Sequence, residues 1–309
     1  MRLAFLAAGT LALGLTACSS SPTVTGPVDV VATTTVLGDV TEQIVTCGGG
    51  GVTVLMPIGT DPHEFTPSSE QVAQLVRANL VVANGLGLEE GLAQALESAE
   101  SDGARVLTIA DKVDPIEFGG HDDHAEGDGH AHGSQDPHVW MDMNRMADAA
   151  QIIGDELADT TGDAAYAECG TQVADDIRAA ETEVRTLLEG VPADRRILVT
   201  DHDALGYLAD AYGYEVVGTV IPGGSTLGQP SSADLADLVA TMRAEGVTTI
   251  FSGVGNPAAV ADAVAAELGD DVQVVSLYEG SVGEPGSGAE TYIGMMKANA
   301  SAIASALQG

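Results

Sequence analysis

Short apolar runs alternate along the chain with longer stretches whose apolar positions recur every three or four residues. "VDVVATTT", Val28 to Thr35, is β-branched and carries no charge after Asp29, the pattern of a buried strand. "LGDVTEQIV" predicts a short helix, "VTVLMP" a second strand, and "SSEQVAQLVRA" a helix with serine at its cap. "LVVANG" and "RVLTIA" predict two more strands, with "EEGLAQALESA" helical between them. This βαβα order implies a parallel sheet with helices on both faces. The rhythm stops at Gly119. From there to Gln135 the chain is rich in Gly, Asp and His without apolar periodicity and predicts a loop. Helical spacing returns at Asp142. From Ala164 to Glu189, Tyr166, Val173, Ile177, Ala180, Val184 and Leu187-Leu188 fit one continuous amphipathic helix. A second βαβα series then runs from "RILVTD" to "VQVVSL", closed by a helix in "AETYIGMMKANASAIASALQ". The expected fold is α/β: one lobe over 28–163 and a second over 191–309, both with parallel sheets, joined by a linking helix over 164–190. Open parallel sheets bind ligands beyond the carboxyl ends of their strands, so the cleft between the lobes is the expected site.

The first residues change the picture of where the protein resides. Arg2 precedes an apolar and small run from Leu3 to Ala17, too short for a spanning helix and followed at once by "SSSPT". It predicts a signal peptide over 1–17. The end of the run, Leu15-Thr16-Ala17-Cys18, resembles the bacterial lipoprotein cleavage box, which implies lipidation of Cys18 and a tether over 18–27. The formal net charge of the 309-residue chain is −35, and loss of Arg2 with the leader makes the mature chain more acidic still. Such a surface repels nucleic acid and anionic headgroups, so membrane attachment is expected through the lipid alone. Apolar residues make up 45% of the chain but aromatics only 4%, so the core must be built from Val, Leu, Ile and Ala. Cys47 and Cys169 remain after Cys18. In an oxidising compartment two thiols tend to pair. A Cys47–Cys169 disulfide is the expectation, with two separate buried thiols as the alternative.

Seven histidines carry the candidate chemistry. His63 lies in "PIGTDPHEF", His138 in "SQDPHVW" and His202 in "LVTDHDALG", each at a strand end or in a loop that could face the cleft, and each after Asp-Pro or Asp. Proline fixes its own φ and holds the preceding residue extended, which stiffens a ligand loop. Each alone reads as a hydrogen-bonding or surface histidine. Three aimed at one cleft, with no histidine in any core segment, make a metal site. His121, His124, His130 and His132, with Asp122, Asp123, Glu126 and Asp128, belong to the polar loop, either as auxiliary metal collectors or as a solvated segment.

"TTTVLGDV", "PIGTDPHEFTPSSEQVAQLVRANLVVANGLGLEEGL", "DPHVWMD", "TDHDALGYLADAYG" and "GEPGSGAETYIGMMKAN" resemble the metal-binding lipoproteins of zinc and manganese ABC transporters, in order and over essentially the whole mature chain. The motifs are short, but their joint order is specific. The resemblance implies two lobes bridged by a stiff helix with limited lobe movement, a metal between the lobes, and His63, His138 and His202 as three ligands. It implies that the His-rich insert gathers metal, as in zinc-type members. It also implies a lipid-anchored, exported partner of an ABC permease, not an enzyme; a monomer is expected, and a surface adhesin is a third reading compatible with the same fold.

Three neutral imidazoles suit zinc, while manganese prefers oxygen donors. Manganese-type relatives usually place a carboxylate where this chain has His202. Relatives also usually place an aspartate in the loop after the last strand, and there this chain reads "LYEGSVG", with Gly280 at that position. The fourth donor is then Glu279, water or Glu64. The expectation is zinc with Glu279, with a manganese- or iron-binding member as the alternative within the family. A zinc-dependent hydrolase is the rival class. "HEFTP" begins like a metalloprotease helix, but Pro67 stands where the second histidine would be, and no GxSxG or phosphate-cradling loop occurs.

Overall fold

The computed structural model describes residues 28–119, 135–254, 259–269 and 271–308. The leader, Cys18 and the tether, together with His121, His124, His130 and His132, lie outside the described residues. Among those described, eight strands form two four-stranded parallel sheets. The first contains β1 (Asp29–Ala32), β2 (Gly51–Val54), β3 (Leu80–Ala83) and β4 (Val106–Thr108) in the order β2-β1-β3-β4. The second contains β5 (Ile197–Thr200), β6 (Glu215–Thr219), β7 (Thr249–Gly253) and β8 (Gln273–Leu277) in the order β6-β5-β7-β8. The two orders are the same arrangement built twice. In each, the chain steps to one side of its first strand and then to the other, leaving a crevice at the strand ends there.

Strand side chains alternate between two cores. In the first sheet Val30, Leu80 and Val82 face the central core, while Val31 and Val81 face an outer core with Leu75, Leu92 and Ala99. In the second, Leu198 and Phe251 face the central core, and Val199 and Ile250 an outer core with Leu238, Met242 and Val264. The outer layers are α2 (Ser69–Arg77) and α3 (Ala93–Ser101) on one lobe, and α7 (Ser232–Glu245) and α8 (Ala259–Leu268) on the other. The central core is continuous between lobes. It is filled by α1 (Thr35–Gly48), α4 (Met143–Thr161), α5 (Ala165–Glu189), α6 (Gly206–Tyr212) and α9 (Tyr292–Gln308).

The 25-residue α5, about 37 Å long at 1.5 Å per residue, packs against α4 and α1 of the first lobe and α9 and α6 of the second. Leu188 is buried on it, but Leu187 is exposed, because a 100° step carries it off the apolar stripe. Cys47 near the end of α1 and Cys169 near the start of α5 are joined by a disulfide across 122 residues of chain, with Cα atoms 6.1 Å apart. The first strand is shorter than "VDVVATTT" suggests. It ends at Ala32 because Thr34 caps α1, accepting the Leu37 amide hydrogen at 3.2 Å. Ser68 with Gln71 and Ser231 with Asp234 close capping boxes at the starts of α2 and α7.

Candidate metal centre

Each of the three histidines sits just beyond a sheet's carboxyl edge. His63 follows β2, His138 follows β4 and the insert, and His202 follows β5 directly. The repeated Asp-Pro-His sequence folds the same way twice. The His63 amide donates to Asp61 Oδ1 at 2.9 Å, and the His138 amide donates to Asp136 Oδ1 at 2.9 Å. Aspartate two residues before the histidine closes a local turn around proline, which aims the ring.

The rings converge. Their centroids are 5.3 to 5.6 Å apart, and one nitrogen from each lies within 4.8 Å of the others. His63 Nε2 and His138 Nε2 are 3.3 Å apart. Two donors at about 2.0–2.1 Å on a tetrahedral ion would be about 3.3–3.4 Å from each other. All three histidines are at least 95% buried, and the cavity they line holds about 20 Å³, room for one ion and not for an organic substrate.

Carboxylates orient the rings from behind. Asp136 Oδ1 lies 2.7 Å from His138 Nδ1, and Asp201 Oδ1 lies 2.7 Å from His202 Nδ1. These contacts turn each Nε2 toward the cavity. Asp201 is itself held through Oδ2 by Ser252 Oγ at 3.0 Å and the Gly253 amide at 2.8 Å, both at the end of β7. The Asp136 carbonyl accepts from Tyr207 Oη of α6 at 2.7 Å, a tie from the second lobe to the His138 loop. Behind that loop, Asn84 Nδ2 donates to Pro137 O at 2.8 Å, and buried Glu89 accepts from Thr33 Oγ1 and the Asn84 amide, each at 2.7 Å. Burial depresses the His138 pKa well below 6.5, and the nearby His202 charge adds to the effect, so the ring is neutral and its lone pair is available. Burial also raises Asp136 to about 7.

Glu279 lines the same cavity and is buried, with neither carboxylate oxygen hydrogen-bonded. Burial, then the adjacent Asp201 charge, pushes its pKa well above the ordinary value. Its Oε2 is 3.6 Å from His202 Nδ1, and Asp201, His202 and Glu279 form a second set of potential donors within 4.8 Å of one another. Glu279 shares no such set with His63 and His138. Glu64 is exposed and does not line the cavity. Gly280 packs so closely on Pro62 that a Cβ there would fall 2.6 Å from Pro62 Cδ.

Sequence reasoning passed over Trp140, the single tryptophan. It stacks edge-on against His138 at 5.3 Å, and its Nε1 donates to Glu279 O at 2.7 Å. It also passed over the orienting roles of Asp136 and Asp201, although the doubled Asp-Pro-His was a signal for the first.

The family described as zinc-uptake complex component A, periplasmic (ZnuA) matches residues 30–306. Among characterised proteins, the manganese-binding lipoprotein MntA of Halalkalibacterium halodurans is 28% identical over 280 residues, covering 90% of this chain and 88% of that protein. The zinc-binding protein TroA of Treponema pallidum is 29% identical over 282 residues, covering 88% and 87%. The solved structure of periplasmic zinc-binding TroA from Treponema pallidum superposes with a TM-score of 0.78 at 27% identity, covering 92% of this chain and 100% of that one.

Proposed function

The chain belongs to the zinc-uptake complex component A family of metal ABC-transporter substrate-binding proteins, which are not enzymes, and on that premise we propose that it captures Zn²⁺ outside the cell and hands it to an ABC permease. Lipid at Cys18 would hold it to the outer face of the membrane, in line with the lipoprotein name of MntA. No described helix is long and apolar enough to cross a membrane.

One observation carries the choice of zinc: three buried imidazoles converge with two Nε2 atoms 3.3 Å apart, matching a tetrahedral edge for zinc. His63, His138 and His202 are the proposed ligands. Glu279 is the proposed fourth donor, supported by its burial in the cavity and its unbonded oxygens. An anionic ligand would lower the charge of the zinc–imidazole unit in a largely buried cleft. Manganese is the second reading, favoured by the carboxylates of Asp201 and Glu279 within reach of His202. Metal analysis of protein purified without chelator, then titrated with zinc and manganese in competition, tests the reading. One tightly held zinc per chain is expected, and displacement of zinc by equimolar manganese would overturn the choice. Each His→Ala variant at 63, 138 or 202 should weaken zinc binding by about 100-fold or more, since a structural zinc site shares roughly 10–16 kcal/mol among four ligands. Glu279→Gln should lose a comparable amount, and an unchanged dissociation constant would remove Glu279 from the set.

A further inference from the structure

We infer that Glu90 and Ser225 form a latch across the cleft that slows release of the bound ion, an inference that rests on the metal-binding reading above. A carboxylate oxygen lies near Nδ1 of each histidine. For His138 and His202 it belongs to the neighbouring Asp136 and Asp201, at 2.7 Å. For His63 it is Glu90 Oε1, at 3.8 Å, from the single turn Glu90–Leu92 of the first lobe. That same oxygen accepts a 2.7 Å hydrogen bond from Ser225 Oγ, in the loop after β6 of the second lobe.

The geometry gives the serine hydroxyl one role. Ser225 Oγ accepts the Leu227 amide hydrogen at 3.3 Å, and its only proton is directed to Glu90. Shape seats the loop as well, since a Cβ on Gly224 would fall 2.1 Å from the Phe118 ring of the first lobe. The next residue, Thr226, lines the cavity. An ion on His63 Nε2 draws electron density from the ring and makes Nδ1–H a stronger donor. At 3.8 Å Glu90 is outside hydrogen-bond range, and an approach of about 1 Å brings it in. The oxygen has a second lone pair, so it can hold both donors. Its approach then draws the Ser225 loop inward. Ion occupancy at His63 and contact between the lobes are coupled through one atom, and release must break that coupling.

Zinc release from the mature full chain into an excess of fluorescent chelator, followed by stopped flow, tests the latch. Ser225→Ala should release zinc about 10-fold faster, the scale of one hydrogen bond to a charged group, with association within about twofold of the parent. Glu90→Ala should release at least as fast, and Glu90→Ala/Ser225→Ala no faster than Glu90→Ala alone, because both remove the same bond. Glu90→Gln keeps the shape and an acceptor for Ser225, and should release at an intermediate rate even if the alanine variants fold poorly. Release from Ser225→Ala within twofold of the parent, multiplicative rates in the double variant, or Glu90→Gln at the parent rate would overturn the latch. A parent chain that takes up no zinc would instead overturn the metal-binding reading itself.

Discussion

Gly280 and Pro62 meet across the mouth of the cavity, one beside the proposed ligand Glu279 and the other beside His63. A methyl group at Gly280 would sit 2.6 Å from Pro62 Cδ, well inside any van der Waals contact. Gly280→Ala should therefore push the Asp61-Pro62-His63 turn outward, costing about 1–3 kcal/mol of stability and weakening zinc binding. Thermal melting and calorimetric titration check both effects. Gly280→Asp, which restores the carboxylate usual in relatives, should not tighten binding here for the same steric reason. The buried carboxyls make a second prediction. Burial pushes the Asp136 carboxyl up to about 7 in the fold against 3.8 for an ordinary aspartate, and raises Glu279 as well. Between the two values the native state holds a proton that the unfolded chain has lost, so this contribution to stability falls as pH rises from about 4 to about 7. Zinc held by the proposed ligands His138 and Glu279 would favour the ionised carboxyls. Binding at pH 6 should therefore release protons, fewer as the pH passes about 7, measurable by calorimetry in buffers of different ionisation enthalpy. Proton-neutral binding at pH 6 would contradict this arrangement.

The helices show where local sequence was sufficient and where it was not. Ser68, Asp142 and Ser231 cap their helices with contacts that adjacent residues supply, and such signals are legible in one dimension. The partner of α1 is a different matter. Cys47 and Cys169 are 122 residues apart, and nothing near either residue names the other. The bond ties the end of α1 to the first turns of α5, next to Tyr166 packed on Gly48. Closing so long a loop limits the unfolded chain and contributes about 4–5 kcal/mol in the chain-entropy account. A chain lacking Cys18 should show no free thiol when denatured without reductant. Its Cys47→Ser/Cys169→Ser variant should melt roughly 10 °C lower. Two reactive thiols in the parent would refute the bond.

At the scale of the molecule, the base of the His-rich insert is pinched shut. Glu117 and Gln135 pair as an isolated antiparallel bridge, and the Asp136 amide donates to Ile116 O at 2.8 Å. The insert therefore leaves and re-enters at adjacent points, and deleting 119–134 while keeping "QDPHVW" should leave one tight zinc site and remove any weaker ones. Loss of the tight site on titration would show that the insert supplies part of it. Much of this molecule could be read from the chain alone. Short continuous apolar runs identified the strands of the parallel sheets and an apolar period of about 3.6 residues the long helix, because a strand in such a sheet is buried on both faces and a helix on one. Three histidines stood out because they lay at strand ends and nowhere in the core pattern. Distance in space was not legible. The 3.3 Å gap between His63 and His138, the Trp140 bond to Glu279, the contact of Gly280 with Pro62 and the bond from Ser225 to Glu90 all join segments 75 to 218 residues apart. Local pattern encodes which face of an element is buried. Only the packing of two lobes onto one continuous core decides which faces, and therefore which donors, meet.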